Sequence, residues 1–306
     1  MGNGKVAFIF PGQGSQYVGM GKEFYDTFSV AREIFNETSE VLGYNLSTVC
    51  FEGPLETLSQ TLYSQVAILT VSYACHQVLM REKSIGSPTY VAGHSLGEYT
   101  ALVAAEALDL KTAVFIVKKR AEFMEEASKA TPGGMVAILG LNREEVKDIC
   151  KEIPGVGIAN LNCPGQVVVS GLKNSLSKCV ELSKRKGAKK VIPLKVSGPF
   201  HSIYMEDAGK RLEVILSGIR IANPKVPIIA NATARCIKDS LDIKKALVKQ
   251  ISNEVLWEQS IELMIDLGVS EFIEIGPGKV LSGLVKRINR EVLVKSVEDI
   301  KGLEGL

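Results

Sequence analysis

At three places in the chain a short apolar run ends in a glycine-rich turn that opens a helix. Val6–Phe10 leads into Pro11-Gly12-Gln13-Gly14-Ser15-Gln16. Thr89–Ala92 leads into Gly93-His94-Ser95-Leu96-Gly97-Glu98, and Glu271–Ile275 into Gly276-Pro277-Gly278 and an amphipathic stretch. Pro227–Ala230 is a further apolar strand. A strand that is apolar throughout suits burial on both faces, and alternation with helices argues for a parallel sheet. Sites in such sheets gather at the carboxyl ends of the strands, so the three turns are expected to share one edge.

Residues 131–196 follow a different order. Gly134–Leu141 reads as a strand, Arg143–Glu152 as a helix, Val156–Leu161 and Gln166–Ser170 as strands, Asn174–Lys186 as a helix and Lys189–Lys195 as a last strand. That βαββαβ order is the split-βαβ, ferredoxin-like module. Thr131-Pro132-Gly133 and Ser197-Gly198-Pro199 supply turn residues at its two ends. The expectation is a discontinuous large α/β domain, residues 1–130 and 197–306, with a small ferredoxin-like domain, residues 131–196, inserted into it and a cleft between them.

Several function classes drop out on composition. A net charge of +2 gives no global case for nucleic acid or for a membrane surface. The start, MGNGKVAFIFPGQG, has a five-residue apolar run stopped by Pro-Gly, too short for a signal peptide or a membrane span. Gly2 invites a myristoylation motif, but Val6 stands where that motif wants Ser or Thr. A cytoplasmic monomer is expected. The six cysteines, Cys50, Cys75, Cys150, Cys163, Cys179 and Cys236, are scattered without a CxxC pair, and buried free thiols are expected. The three histidines, His76, His94 and His201, show no metal-ligand spacing, so no metal site is expected.

Gly93-His94-Ser95-Leu96-Gly97-Glu98 admits two roles for Ser95. Ser95 with Glu98 three residues on is a capping-box pattern. Gly93-x-Ser95-x-Gly97 between a strand and a helix is also the sharp elbow that presents a serine nucleophile. The flanking glycines favour the elbow, because its close strand–helix approach leaves no room for side chains two residues either side of the serine, whereas a cap needs no glycines. That elbow makes the expected sheet α/β-hydrolase-like. The helix after it is expected over Tyr99–Leu110.

A serine hydroxyl needs a base near neutral pH. His94 adjoins Ser95 and should project away from it, and His76 sits in the apolar stretch Val66–Leu79 as a core or surface residue. His201 is the better candidate. It precedes the apolar stripe Met205, Ala208, Leu212 and Ile215, and a helix dipole there would favour neutral imidazole. Arg120, in the helix Lys111–Lys129, lies between Ile116 and Phe123/Met124 at the apolar stripe. A guanidinium turned toward a core needs an anion, either a substrate carboxylate or an internal Asp or Glu. The turn at Gly12-Gln13-Gly14 is no dinucleotide fingerprint, since Tyr17 occupies the third glycine position, and Gly276-Pro277-Gly278-Lys279 is no Walker A loop.

Taken together, FPGQGSQ at 10–16, GHSLGEY at 93–99, Arg120 in KKRAEFM, NLNCPGQ at 160–166, GPFH at 198–201 and GPGKVL at 276–281 make the chain resemble the malonyl-CoA:acyl carrier protein transacylases over nearly its full length. The resemblance implies Ser95 as nucleophile and His201 as base, with the Gln250 backbone carbonyl orienting the imidazole. It implies an oxyanion hole from the backbone N–H groups of Gln13 and Leu96, and Arg120 as clamp for the malonyl carboxylate. Phe200 matches the pattern associated with malonyl rather than methylmalonyl selection. Gln65 and Asn162 are placed at the substrate, with Val66 departing from the family's common proline. No bound cofactor is implied, because malonyl-CoA and phosphopantetheinylated acyl carrier protein bring their own pantetheine. The carrier is an acidic, transient partner, expected to dock on Lys184, Arg185, Lys186, Lys189 and Lys190 or on Lys286, Arg287 and Arg290. Two other functions share parts of this pattern: a serine thioesterase or esterase, and a non-catalytic CoA- or nucleotide-binding module.

Overall fold

A computed structural model describes residues 4–306. Gly2, weighed above for myristoylation, lies outside the described residues. Among the described residues, ten strands form two sheets: β1 (Lys5–Phe10), β2 (Tyr90–Gly93), β3 (Gly133–Leu139), β4 (Val156–Cys163), β5 (Gln166–Leu172), β6 (Lys190–Pro193), β7 (Ile228–Ala230), β8 (Arg235–Ile237), β9 (Val269–Ile275) and β10 (Leu293–Val297). The larger sheet has the order β10-β9-β1-β2-β7-β8 and is parallel except for β8, which returns antiparallel to β7. The smaller sheet is antiparallel throughout, in the order β4-β5-β3-β6.

The central strand shows why the sheet is parallel and covered. Ala7, Phe8, Ile9 and Phe10 of β1 are all fully buried. Phe8 and Phe10 pack with the helices Ser29–Leu42, Thr61–Glu82 and Leu110–Ala130, while Ala7 and Ile9 pack with Trp257, Ile261 and Leu284 on the other face. No side chain of this strand's last four residues reaches water, so alternation would serve no purpose. Phe10 pairs with Gly93, and Ile9 with Glu274, which brings the ends of β1, β2 and β9 to one edge. The three glycine-rich turns meet there as expected.

The small sheet carries the helices Arg143–Glu152 and Lys173–Arg185 and a core of its own that includes Val136, Ile138, Val146 and Val169. Its element order is the βαββαβ read from the sequence. It is joined to the large sheet's side by main-chain bonds: the Leu161 amide donates to Val255 O at 3.0 Å and the Val255 amide to Ala159 O at 2.8 Å. Arg287 adds a side-chain strap, donating to Gln166 Oε1 at 2.6 Å and Pro164 O at 3.2 Å.

Three expectations change. The helix placed over Tyr99–Leu110 runs only Gly97–Ala104; Glu106 adopts a left-handed φ of 57°, and the Asp109 side chain caps the next helix by accepting from the Thr112 amide at 2.8 Å. Strand β6 is shorter than Lys189–Lys195. Strands β8 and β10 were not anticipated; β10 interrupts its apolar residues with Lys295 and Ser296, as an edge strand can. All six cysteines are free, though Cys150 and Cys236 are only half-buried. No helix is long and apolar enough among the described residues to cross a membrane.

Candidate active site

Ser95 sits in the turn after β2 with φ 51°, a left-handed conformation that costs a non-glycine residue roughly 1–3 kcal/mol. The glycines on either side make the turn sterically feasible. A Cβ on Gly93 would lie 1.9 Å from the Gly97 carbonyl carbon, and one on Gly97 would lie 2.1 Å from Phe10 O. The capping-box role for Ser95 is overturned: the helix Gly97–Ala104 has Leu96 at its N-cap position and no side-chain cap bond. Ser95 Oγ is instead 2.8 Å from His201 Nε2. Glu98, the other half of that motif, turns inward and is 3 % exposed.

His201 also has a left-handed φ, 56°, and is buried in the loop before the short 3-10 turn Ile203–Met205. Its Nδ1 lies 2.8 Å from the Gln250 carbonyl, so Nδ1 carries the proton and Nε2 is free to accept from the serine. The α-helix of the Met205 stripe begins only at Glu206, so His201 is not in its first turn. Its neutral state has a different cause from the expected dipole. Burial first, and then the charge of Arg120, push its pKa down to about 3. His76 is a core residue against Phe8 and Phe10, with burial pushing it to about 4. His94 points away from Ser95 Oγ, with its ring against Trp257 and Nε2 2.9 Å from Asn162 Oδ1.

Arg120 is 1 % exposed and has no carboxylate within ion-pair distance among the described residues. It donates to Gln65 Oε1 at 2.6 Å, Ser95 Oγ at 3.0 Å and Gln250 Oε1 at 3.1 Å, and its Nε has no partner. An internal salt bridge is thereby excluded as the reason for its burial. The Gln65 amide nitrogen is 3.5 Å from Gln13 Oε1, and neither the Gln13 nor the Leu96 backbone amide donates to another backbone group among the described residues. Gln13 lies in the turn after β1 and Leu96 in the turn after β2, directly following Ser95.

A cavity of about 180 Å³ opens at this point, lined by Gln13, Ser95, Arg120, His201, Asn162 and Phe200, with apolar walls from Met124, Met135, Val168, Leu194 and Leu284. The small sheet contributes Met135 and Val168 to the walls, and the turns after β1 and β2 contribute Gln13 and Ser95. Every predicted site residue thus falls in or beside one cleft. Sequence reasoning missed Asn231, whose side chain accepts from the Ser95 amide at 2.6 Å and donates to Gly93 O at 2.7 Å. It is the first residue beyond β7, at the same carboxyl edge, and that position was the available signal. The basic groups proposed for docking differ in availability. Lys190 is exposed on β6, whereas Arg287 is spent on the strap to the small sheet and Lys286 donates to Val292 O at 2.6 Å.

Comparison with known proteins agrees with this layout. The family model for the acyl transferase domain matches residues 7–303. The malonyl CoA-acyl carrier protein transacylase of Bacillus subtilis is 48% identical over 98% of this chain and 95% of its own length. An acyl carrier protein S-malonyltransferase from Vibrio cholerae superposes with a TM-score of 0.95 at 39% identity, covering 98% of this chain and 99% of that one. A malonyl-transacylase solved in complex with its holo type II PKS acyl-carrier protein gives 0.94 at 39% identity, with 98% of each chain covered. With a family match across almost all of its length and relatives this similar, the chain belongs to the acyl transferase family and is an acyltransferase.

Proposed function

We propose that the chain transfers the malonyl group of malonyl-CoA to the phosphopantetheine thiol of acyl carrier protein, through a malonyl-serine on Ser95. The observation that carries this is the environment of one oxygen. Ser95 Oγ has a neutral imidazole nitrogen at 2.8 Å on one side and a buried guanidinium without a carboxylate at 3.0 Å on the other. The first activates a nucleophile, and the second suits an acyl group that ends in a carboxylate.

His201 Nε2 takes the Ser95 proton as Oγ attacks the thioester carbonyl, and the Gln250 carbonyl holds the imidazole at Nδ1 throughout. The oxyanion of the tetrahedral intermediate falls to the backbone amides of Gln13 and Leu96. The thiolate of CoA leaves with the proton from His201. In the second half-reaction His201 takes the proton of the carrier's thiol, the thiolate attacks the malonyl-serine, and Ser95 Oγ recovers its proton. Arg120 holds the malonyl carboxylate in both halves. Pairing with that carboxylate also removes the positive field that disfavours imidazolium, so the correct acyl group strengthens the base that acts on it. Gln65 keeps the guanidinium aimed, Asn162 steadies His94, and Phe200 bounds the acyl site. The apolar walls exclude water, which would hydrolyse the acyl-serine. The pantetheine belongs to the substrates, so the reaction needs no resident cofactor. The carrier is acidic, and the exposed Lys189–Lys190 end of the small sheet is its proposed contact.

A thioesterase shares the serine and histidine but gives no use for a buried Arg120. The test is intact mass after brief exposure to malonyl-CoA, with Ser95→Ala beside the wild type. A malonyl adduct on the wild type alone, discharged by holo acyl carrier protein, is expected. Continuous CoA release without a carrier would instead establish hydrolysis, and a folded protein with neither adduct nor release would defeat both.

A further inference from the structure

Ser95 is held at φ 51° by more than its glycine neighbours. Its backbone N–H donates to Asn231 Oδ1 at 2.6 Å, and its carbonyl accepts from Gln250 Nε2 at 2.9 Å. Two side-chain amides from distant parts of the chain therefore grip both main-chain polar groups of one strained residue. The same two residues are tied to a single atom. Glu98 Oε2 accepts from Gln250 Nε2 at 2.8 Å and from the Asn231 backbone amide at 3.0 Å.

We infer that Glu98 is a positioning residue for the acylation step, its Oε2 anchoring the Asn231 and Gln250 groups that fix the Ser95 backbone and thereby aim Oγ at His201. The geometry of the Gln250 amide carries this further. Its oxygen faces the Arg120 guanidinium and its nitrogen faces Glu98 and Ser95 O. A flipped amide would set nitrogen against the cation and oxygen against two acceptors, so the orientation is locked from both ends. The Gln250 amide thus stands between the Glu98 carboxyl group and the Arg120 guanidinium. Glu98 is in hydrogen-bond contact with neither Ser95 Oγ nor His201 among the described residues, so it acts through its neighbours. Burial raises its pKa to about 7, and the Arg120 charge and the two hydrogen bonds oppose that rise.

The role rests on Ser95 being the nucleophile, and the variants are chosen to test reach against charge. Glu98→Gln keeps an oxygen where Oε2 stands and loses the charge. Glu98→Asp keeps the charge and withdraws the oxygen by one methylene. The readouts are the maximal rate and half-saturation of malonyl-serine formation, and separately the labelling rate of Ser95 by a fluorophosphonate, which needs no malonyl group. Anchoring predicts Glu98→Gln within about threefold of wild type in both rates. It predicts Glu98→Asp about tenfold to a hundredfold slower, with half-saturation nearly unchanged because Arg120 keeps Gln65. The reverse order, or a Glu98→Asp loss confined to half-saturation, overturns the proposal. A wild type labelled by fluorophosphonate but never malonylated would overturn the malonyl assignment while the Glu98 comparison still reads out on the probe.

Discussion

Replacing Arg120 with alanine separates what the guanidinium does for the acyl group from what it does for the serine. In the wild type a malonyl carboxylate would meet a buried cation whose Nε has no protein partner. After Arg120→Ala the same carboxylate would enter the cleft unpaired, and removing one partner of a buried pair costs about 3–5 kcal/mol. That corresponds to a fall in kcat/KM for malonyl loading of roughly a hundredfold to a few thousandfold. Acetyl-CoA has no carboxylate to strand. It loses one neutral-acceptor bond to Ser95 Oγ and gains a stronger base, because Arg120 is the second cause of the low His201 pKa. Acetyl loading should therefore stay within about tenfold of its wild-type rate. The assay is the initial rate of acyl-serine formation from each CoA ester by quenched-flow mass spectrometry, with folding checked by thermal melting. Removing the guanidinium should also raise the His201 pKa from about 3, though burial, the larger cause, remains. Equal loss for malonyl and acetyl would refute the carboxylate clamp and leave Arg120 a structural part of the elbow. Discrimination against methylmalonyl should be weaker, since rejecting one methyl is worth only about 1–3 kcal/mol.

Two further outcomes follow from the elbow and from the core. Gly93→Ala should abolish Ser95 acylation, because its Cβ would meet backbone atoms of Gly97 and Glu98 within 2.4 Å, whereas Gly157→Ala, with nothing within 4 Å, should match wild type; equal activity of the two would contradict the steric account of the turn. His76, pushed to about 4 by burial, stays neutral in the fold while the unfolded chain takes up a proton below about pH 6.5, so stability is lost as pH falls from there toward 4 at up to ~1.4 kcal/mol per pH unit. Thermal melts of His76→Leu should fall less steeply than wild type between pH 6.5 and 4.5; parallel curves would show that His76 is not the group titrating.

What the sequence made legible was whatever depends on near neighbours. Val6–Phe10 is apolar without a break, and that alone marks a doubly covered strand. Gly93 and Gly97 mark a turn whose steric demand is visible two residues either way. Arg120 betrays itself by standing in an apolar helical stripe. The sequence marks His201 but not the cause of its neutral state, because distance to Arg120 and depth of burial are set by the folded chain. Glu98 pairs by spacing with Ser95, three residues away, but its partners in the fold are Asn231 and Gln250, more than a hundred residues on. A backbone carbonyl such as that of Gln250 leaves no trace in side-chain chemistry, and only the family resemblance could point to it. Strands β8 and β10 lie at sheet edges, where burial on one side gives a weaker pattern.

The junction at Val255 anchors one edge of the small sheet beside the cleft. Strand β4 is stitched to the large sheet's side by two main-chain bonds, with the Arg287 strap beside its turn into β5. Strand β6 stands at the opposite edge of the same small sheet. On the β6 side the chain itself leads out of the small sheet, and Ser197 Oγ lies 3.0 Å from Thr61 Oγ1. Leu194 and Val196, just beyond β6, wall the cavity there and pack against the large core, so the acyl chamber is clamped at both edges of the small sheet.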